Sequence, residues 1–363
     1  DGAMTQSQHT FLFVGTYTRT TSEGIYVYRM DNSTGVLERV AVTGGIKNPT
    51  FLALSPDNSH LYAVAEINEH GGRSSGAVYS YSISPDSGEL AYVNQQSTGG
   101  PGPCHLTVDA TGAHVIVANY QGGSICVLPI RNDGSLGEIS EFIQHEGSSV
   151  NPRRQEEPHA HSVNLDPNNR FIYAPDLGMD KVMIYQLDLD SGNLVANKPA
   201  FVQVAPGAGP RHFAFHPNGT RAYVLNEIGN TVTAFNWDPG SGSLEEFQTV
   251  TTLPTEFSKT SHTADLHIHP NGRFLYGSNR GHDSIAIFEI DPDTGGLTLR
   301  GWASTQGRTP RNIAIDPSGQ FMLAANQDSD SIFTFRINDE TGMLITTGSV
   351  TEVPMPVCIK FLA

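Results

Sequence analysis

An all-β fold, a seven-bladed β-propeller with four-stranded antiparallel blades, is what this chain predicts. Two observations lead there. One four-stranded unit recurs along the 363 residues with a period of roughly 50, and the chain begins and ends part-way through a unit.

The clearest unit starts at Pro310-Arg311-Asn312-Ile313-Ala314-Ile315-Asp316-Pro317-Ser318-Gly319. It continues through Phe321-Met322-Leu323-Ala324-Ala325-Asn326 and Ser331-Ile332-Phe333-Thr334-Phe335, to a turn at Asp339-Glu340-Thr341-Gly342. The same grammar starts at Pro210, with His216-Pro217-Asn218-Gly219, and returns with His269-Pro270-Asn271-Gly272. Weaker copies carry Asp166-Pro167, Asp109-Ala110-Thr111-Gly112 and Ser55-Pro56-Asp57-Asn58. Each unit reads as strands A to D. A Pro-Asn-Gly or Pro-Ser-Gly turn joins A to B, because proline presets φ and glycine or asparagine accepts positive φ. The strands are nearly continuous apolar runs, as expected of blades covered on both faces by their neighbours.

The ends fix the count. The first unit opens at strand B (Phe11-Leu12-Phe13-Val14-Gly15-Thr16), and the last segment, Pro356-Val357-Cys358-Ile359-Lys360-Phe361, is a strand A with nothing after it. The C-terminal strand is therefore expected to complete the N-terminal blade, closing the ring and removing exposed sheet edges. Residues 11–363 are expected to form one propeller domain. Residues 1–10 are expected to be a flexible N-terminus in which Asp1-Gly2-Ala3, ahead of Met4, reads as an expression scar.

Composition narrows the function. A formal net charge of −16 argues against nucleic acid and against an anionic membrane surface as partners. No window approaches about 18 consecutive apolar residues, so no membrane span is expected. Three cysteines (Cys104, Cys126, Cys358) and no basic-then-apolar leader fit a cytoplasmic protein with reduced thiols. A closed ring needs no partner, so a monomer or weak homo-oligomer is expected.

Laid over one another, the units show where they differ. At the start of strand A stand Thr50, Cys104, His161, Arg211, Ala264 and Arg311, followed one residue later by His105, His212, Asp265 and Asn312. At the end of strand B, after a recurrent asparagine, stand Glu66, Tyr120, Glu227, Arg280 and Gln327. Strands A and B are antiparallel, so the two places adjoin, and the innermost strand faces the channel. His161, Arg211, Glu227 and Arg280 should converge at one channel mouth from three successive blades. His105, His159, Arg154, Arg311, Tyr120 and Gln327 are the candidate substrate-binding residues around them. Two long loops, 144–159 and 255–262, enter the same face and offer Arg153, Arg154 and Lys259. The asparagines Asn119, Asn226, Asn279 and Asn326 recur in register in four of the copies, which favours a repeated turn bond over a ligand role.

Glu157-Pro158-His159-Ala160-His161-Ser162-Val163, Gly209-Pro210-Arg211-His212, Leu225-Asn226-Glu227 and Ser278-Asn279-Arg280-Gly281-His282-Asp283-Ser284 together resemble the seven-bladed β-propeller lactonase family. That family includes propeller-type 6-phosphogluconolactonase and the fungal carboxymuconate-lactonizing enzyme. The resemblance runs from Phe11 to Phe361. It implies a functional set of one histidine, two arginines and one glutamate at His161, Arg211, Arg280 and Glu227, no metal and no cofactor, and a small anionic or sugar lactone as substrate.

Lactone hydrolysis needs an activated water, a stabilised oxyanion and a protonated leaving alkoxide. Glu227 or His161 is expected to be the base and the other the acid, with Arg211 and Arg280 holding the anion and the oxyanion. A covalent route is not expected, because there is no Gly-x-Ser-x-Gly elbow and no cysteine beside a base. Alternatives are a muconate-type lactonizing cyclase, a non-catalytic binding platform and a metal-dependent sugar lactonase. The arginine-rich set disfavours the last.

Overall fold

The computed structural model describes residues 7–363, so the expected scar lies outside the described residues. Their strands form seven four-stranded antiparallel sheets in a ring. The first strand, β1 (His9–Thr16), begins ahead of Phe11, so His9 and Thr10 belong to the first blade rather than to an N-terminal tail. The last strand, β28 (Pro356–Phe361), pairs with β1 from Leu12↔Phe361 to Thr16↔Pro356 and supplies the inner strand of that blade. Each of the next six blades takes its four strands consecutively from the chain. A single 3₁₀ turn at Gln327–Ser329 is the helical element among the described residues.

The core is distributed between the blades. Phe274 and Tyr276 of the sixth blade pack with Ile313, Met322 and Ala324 of the seventh. Tyr26 and Tyr28 of the first pack with Phe321 and Leu323 of the seventh. A polar clamp reinforces four of the blade interfaces, through Tyr62, Tyr173, Tyr223 and Tyr276. The Tyr276 hydroxyl at the strand-B level donates to the Gly342 carbonyl in the next blade's C–D turn at 2.7 Å, and the Tyr173 hydroxyl donates to Gly242 in the same way, also at 2.7 Å. Gly342 holds φ at +75°, and a Cβ there would sit 2.5 Å from the Phe274 ring. Glycine at that turn is thus required by both backbone and neighbour.

The recurrent asparagines tie strands together. Asn279 Nδ2 donates to the Thr252 carbonyl and to Ser284 Oγ, and Asn326 Nδ2 donates to the Thr305 carbonyl. Both side chains are fully buried, in keeping with the structural role expected from their register.

One irregularity positions the channel mouth. Strand pairing slips between Pro103 and His105, between Pro210 and His212, and between Pro310 and Asn312, leaving Cys104, Arg211 and Arg311 as extra residues in β-bulges. A bulge re-aims its side chain. Here it separates the first two positions of each strand A, and only one of them serves the mouth. In the fourth blade strand A shrinks to Asn164–Leu165, and His161 is held outside the ladder by its N–H to the Pro175 carbonyl at 3.0 Å.

Truncation after Pro354 should lower the melting temperature of the whole ring, because the first blade loses its inner strand; calorimetry of the truncated chain checks this. Gly342→Ala should cost about 2 kcal/mol or more, since a non-glycine residue at positive φ adds roughly 1–2 kcal/mol before the clash with Phe274 is counted. Denaturant titration against wild type measures it.

Candidate active site

All seven blades send a residue to one cavity of about 240 Å³ at the channel mouth. It is lined by Tyr17, Glu66, Tyr120, Arg154, His161, Arg211, Glu227, His262, Arg280 and Arg311. Glu227 is the hub. Its Oε1 accepts from Arg211 Nη1 and from Arg280 Nη2 (2.8 Å), and its Oε2 accepts from Arg154 Nη2. His161 Nε2 stands 3.9 Å from the same Oε1 and 2.8 Å from Arg211 Nη1. Backbone carbonyls complete the frame: Arg211 Nε donates to Ala264 at 2.7 Å and Arg280 Nη2 to Thr263 at 3.1 Å.

The charges follow from these contacts. Burial pushes the Glu227 carboxyl upward, but Arg280, Arg211, His161 and Arg154 together override it and hold the group well below the usual carboxylate range. Burial, then Arg211, holds His161 well below the usual imidazole range against the opposing pull of Glu227. Burial and Arg211 lower the Arg280 guanidinium to about 9, which still leaves it charged at neutral pH. At pH 7 the centre is therefore a carboxylate, three guanidiniums and a neutral imidazole. Because Arg211 donates to Nε2, the imidazole proton resides on Nδ1.

Nδ1 faces Cys104 Sγ at 3.6 Å. A cysteine does lie beside this histidine in space, which corrects the sequence expectation. The strands of neighbouring blades bring the two together from 57 positions apart. Cys104 is nonetheless no nucleophile here. It is buried behind the cavity wall, its thiol points to the His161 carbonyl at 3.3 Å, and burial, then Glu66, pushes it far above the ordinary thiol range.

Other candidates fall into two groups. Arg154, Arg311 and Tyr120 line the cavity. Arg154 comes from the 144–159 loop, which is pinned at the buried Asp180 carboxylate. That carboxylate accepts from Gln155 Nε2 at 2.7 Å, and also from the N–H of Gly209 at 2.8 Å, two residues before Arg211. His159 lies behind the wall, stacked on Tyr120 at 4.5 Å and bonded through Nδ1 to the Tyr120 carbonyl. His105 and Gln327 are not brought to the cavity. The bulge at Cys104 sends His105 down the channel, against Phe51 at 4.3 Å, where it lines a different cavity. Gln327 enters the 3₁₀ turn and bonds Asp328. Arg153 and Lys259 are exposed and stand outside the lining.

Tyr17 and His262 were not selected from the sequence, and Glu66 was noted in the strand-B series without being singled out. Tyr17 follows Thr16 at the end of strand B in the composite blade, the same register that gives Tyr120, Glu227 and Arg280, so extending the comparison to that blade finds it.

With this geometry in place, comparison with known proteins is decisive. The sequence matches the family described as "Lactonase, 7-bladed beta-propeller" over residues 11–361. The chain belongs to that family. It is 38% identical over 350 residues to the 6-phosphogluconolactonase of Bacillus subtilis, covering 96% of this chain and 97% of that one. Against the 6-phosphogluconolactonase of Formosa agariphila it is 36% identical, covering 84% and 86%. Among solved structures, the periplasmic gluconolactonase PpgL of Pseudomonas aeruginosa superposes with a TM-score of 0.92 at 37% identity, over 98% of this chain and 99% of that one. As a family member this lactonase is a carboxylic ester hydrolase, and no helix among its described residues is long and apolar enough to cross a membrane.

Buried neutral histidines give the lactonase a pH signature. His161 and His105 are held well below the usual range, and His212 is lowered to about 4, in each case first by burial. Unfolded, each takes up a proton below about pH 6.5. The unfolded chain then binds more protons than the native one, so stability falls as pH falls. Glu227 and Asp265, depressed when folded, extend the loss below about pH 4.5. The melting temperature should hold from pH 8 to 7 and then drop steadily from about pH 6.5 to pH 4, as a scan in matched-ionic-strength buffers reads directly.

Proposed function

We propose that this lactonase hydrolyses a sugar lactone, 6-phosphogluconolactone or a related aldonolactone, by metal-independent acid–base catalysis at the channel mouth. The observation that carries this reading is the neutral His161 imidazole packed between Arg211 and the triply paired Glu227. The two relatives named 6-phosphogluconolactonase support the substrate class.

The assignment of base and acid follows from charge. Glu227 is ionised and its oxygens are occupied by guanidiniums, so it has no proton to give and little basicity. In the empty site the His161 Nε2 lone pair accepts from Arg211 Nη1, and it becomes available as a base once the lactone carbonyl oxygen draws that N–H to itself. It takes a proton from water as the water oxygen attacks the lactone carbonyl carbon. Arg211 and Arg280 stabilise the resulting oxyanion, and Glu227 both aims these guanidiniums and stabilises the imidazolium that forms nearby. When the ring C–O bond breaks, the imidazolium returns its proton to the leaving alkoxide and the ring opens to the hydroxy acid. Tyr120 and Arg154 bound the site on the loop side.

The three unpaired, buried cysteines support the cytoplasmic address expected from the sequence, although the Pseudomonas relative is named as periplasmic. A monomer suffices for this mechanism, since one ring supplies the whole cavity.

His161→Ala and Glu227→Gln should each lower kcat on 6-phosphogluconolactone by about 10²-fold or more. A pH-indicator assay at a temperature well below melting measures this, and wild-type rates in either variant would overturn the assignment. In the wild type, kcat/KM should stay level through pH 6.5 and fall only at more acid pH, because the free-enzyme base titrates below the ordinary histidine range. A falling limb centred near pH 6.5 would contradict His161 as base.

A further inference from the structure

We infer that Glu66, Tyr17 and Arg311 form a second bank of the cavity that reads the hydroxyl groups of the substrate ring, and so selects polyhydroxylated lactones over bare ones. The inference rests on the proposed lactonase reading of the same cavity.

The two banks differ in how their polar groups are committed. On the catalytic side Arg154, Arg211 and Arg280 all point into Glu227. On the opposite side, among the described residues, the Arg311 guanidinium forms no ion pair and no side-chain hydrogen bond. It lies over the Tyr17 ring at 5.4 Å, with Arg19 over the same ring at 3.8 Å. Glu66 lines the cavity, and its Oε2 is buried without a hydrogen-bond partner. The Tyr17 side chain is almost wholly buried, and burial, with Glu66 close by, raises its phenol to about 12, so it keeps its proton.

This set has a chemical meaning. A carboxylate oxygen with an open position accepts from hydroxyls, a guanidinium with no side-chain hydrogen bond donates to them, and a phenol oxygen can accept from them. A buried carboxylate oxygen left without a donor is unfavourable in the empty site and is relieved when a hydroxyl donor arrives. A phosphate or second carboxylate is a poor match for the bank, because Glu66 would repel it. The bank comes from the first, second and seventh blades, across the cavity from His161 in the fourth. A lactone whose carbonyl meets His161 therefore presents its other ring atoms to Glu66.

The test compares the isosteric Glu66→Gln variant with wild type on D-glucono-δ-lactone and on δ-valerolactone, which lacks hydroxyls. The ratio of the two kcat/KM values should fall by about ten- to a hundred-fold, as expected for hydrogen bonds to a charged group, with the change carried mainly by KM. Thermal melting confirms that the variant is folded. An unchanged ratio overturns the inference, whether both substrates are lost equally or neither is. Calorimetric titration of D-gluconate, a polyol acid, separates the two readings. If wild type hydrolyses neither lactone yet binds gluconate more tightly than Glu66→Gln does, the hydroxyl subsite stands and the lactonase reading fails. Equal gluconate affinity in both proteins overturns the subsite.

Discussion

One buried carboxylate organises this site. Glu227 draws three guanidiniums to a single point, although like charges so close would otherwise repel and each is costly to bury. Remove the carboxylate and Arg154, Arg211 and Arg280 have no common target, and Arg211 no longer holds both Glu227 and His161. The network is saturated on the Glu227 side, which is why a carboxylate in this position is a poor base and a good organiser. In the proposed mechanism the imidazole beside it, kept neutral by burial and by Arg211, takes the chemical role instead.

The organiser works because the ring around it is rigid. Glu227 is anchored through its own N–H to the Gly209 carbonyl at 2.7 Å, and Gly209 is in turn held by Asp180. The same Asp180 pins the loop that delivers Arg154. A loop residue and a strand residue therefore reach the same carboxylate from one buried anchor. Preorganisation of this kind lets guanidiniums stabilise developing charge without moving at the moment of reaction.

Much of this was legible in the chain. Ring closure followed from a strand A with no successors, and the convergence of His161, Arg211, Glu227 and Arg280 followed from antiparallel pairing within a repeat. What escaped has physical reasons. His105 and Cys104 are adjacent in sequence, but a one-residue bulge sends one down the channel and the other behind the wall, and no spacing rule marks a bulge. Gln327 keeps strand-B register until the 3₁₀ turn withdraws it. Tyr17 sat in the composite blade, where the repeat is split between the two ends of the chain. Arg154, by contrast, was among the candidates, and it is the tertiary tie of its loop to Asp180 that separates it from the exposed Arg153.

Charge at the mouth runs against charge elsewhere. The whole chain carries a formal −16, yet the cavity lining holds four arginines and two glutamates, an excess of two positive charges. At physiological salt the screening length is about 8 Å, so an anionic substrate feels the acidic surface only near contact and the arginines only inside the cavity. Attraction is thus local. It favours retention of an anion already in the mouth more than long-range capture of one. Most of that positive charge lies beside Glu227, on the side where the proposed mechanism forms an oxyanion, while Arg311 and Glu66 offset one another on the opposite side. The cavity is polarised, with its field concentrated where the proposed reaction develops negative charge and balanced where the proposed hydroxyl subsite would hold a neutral ring.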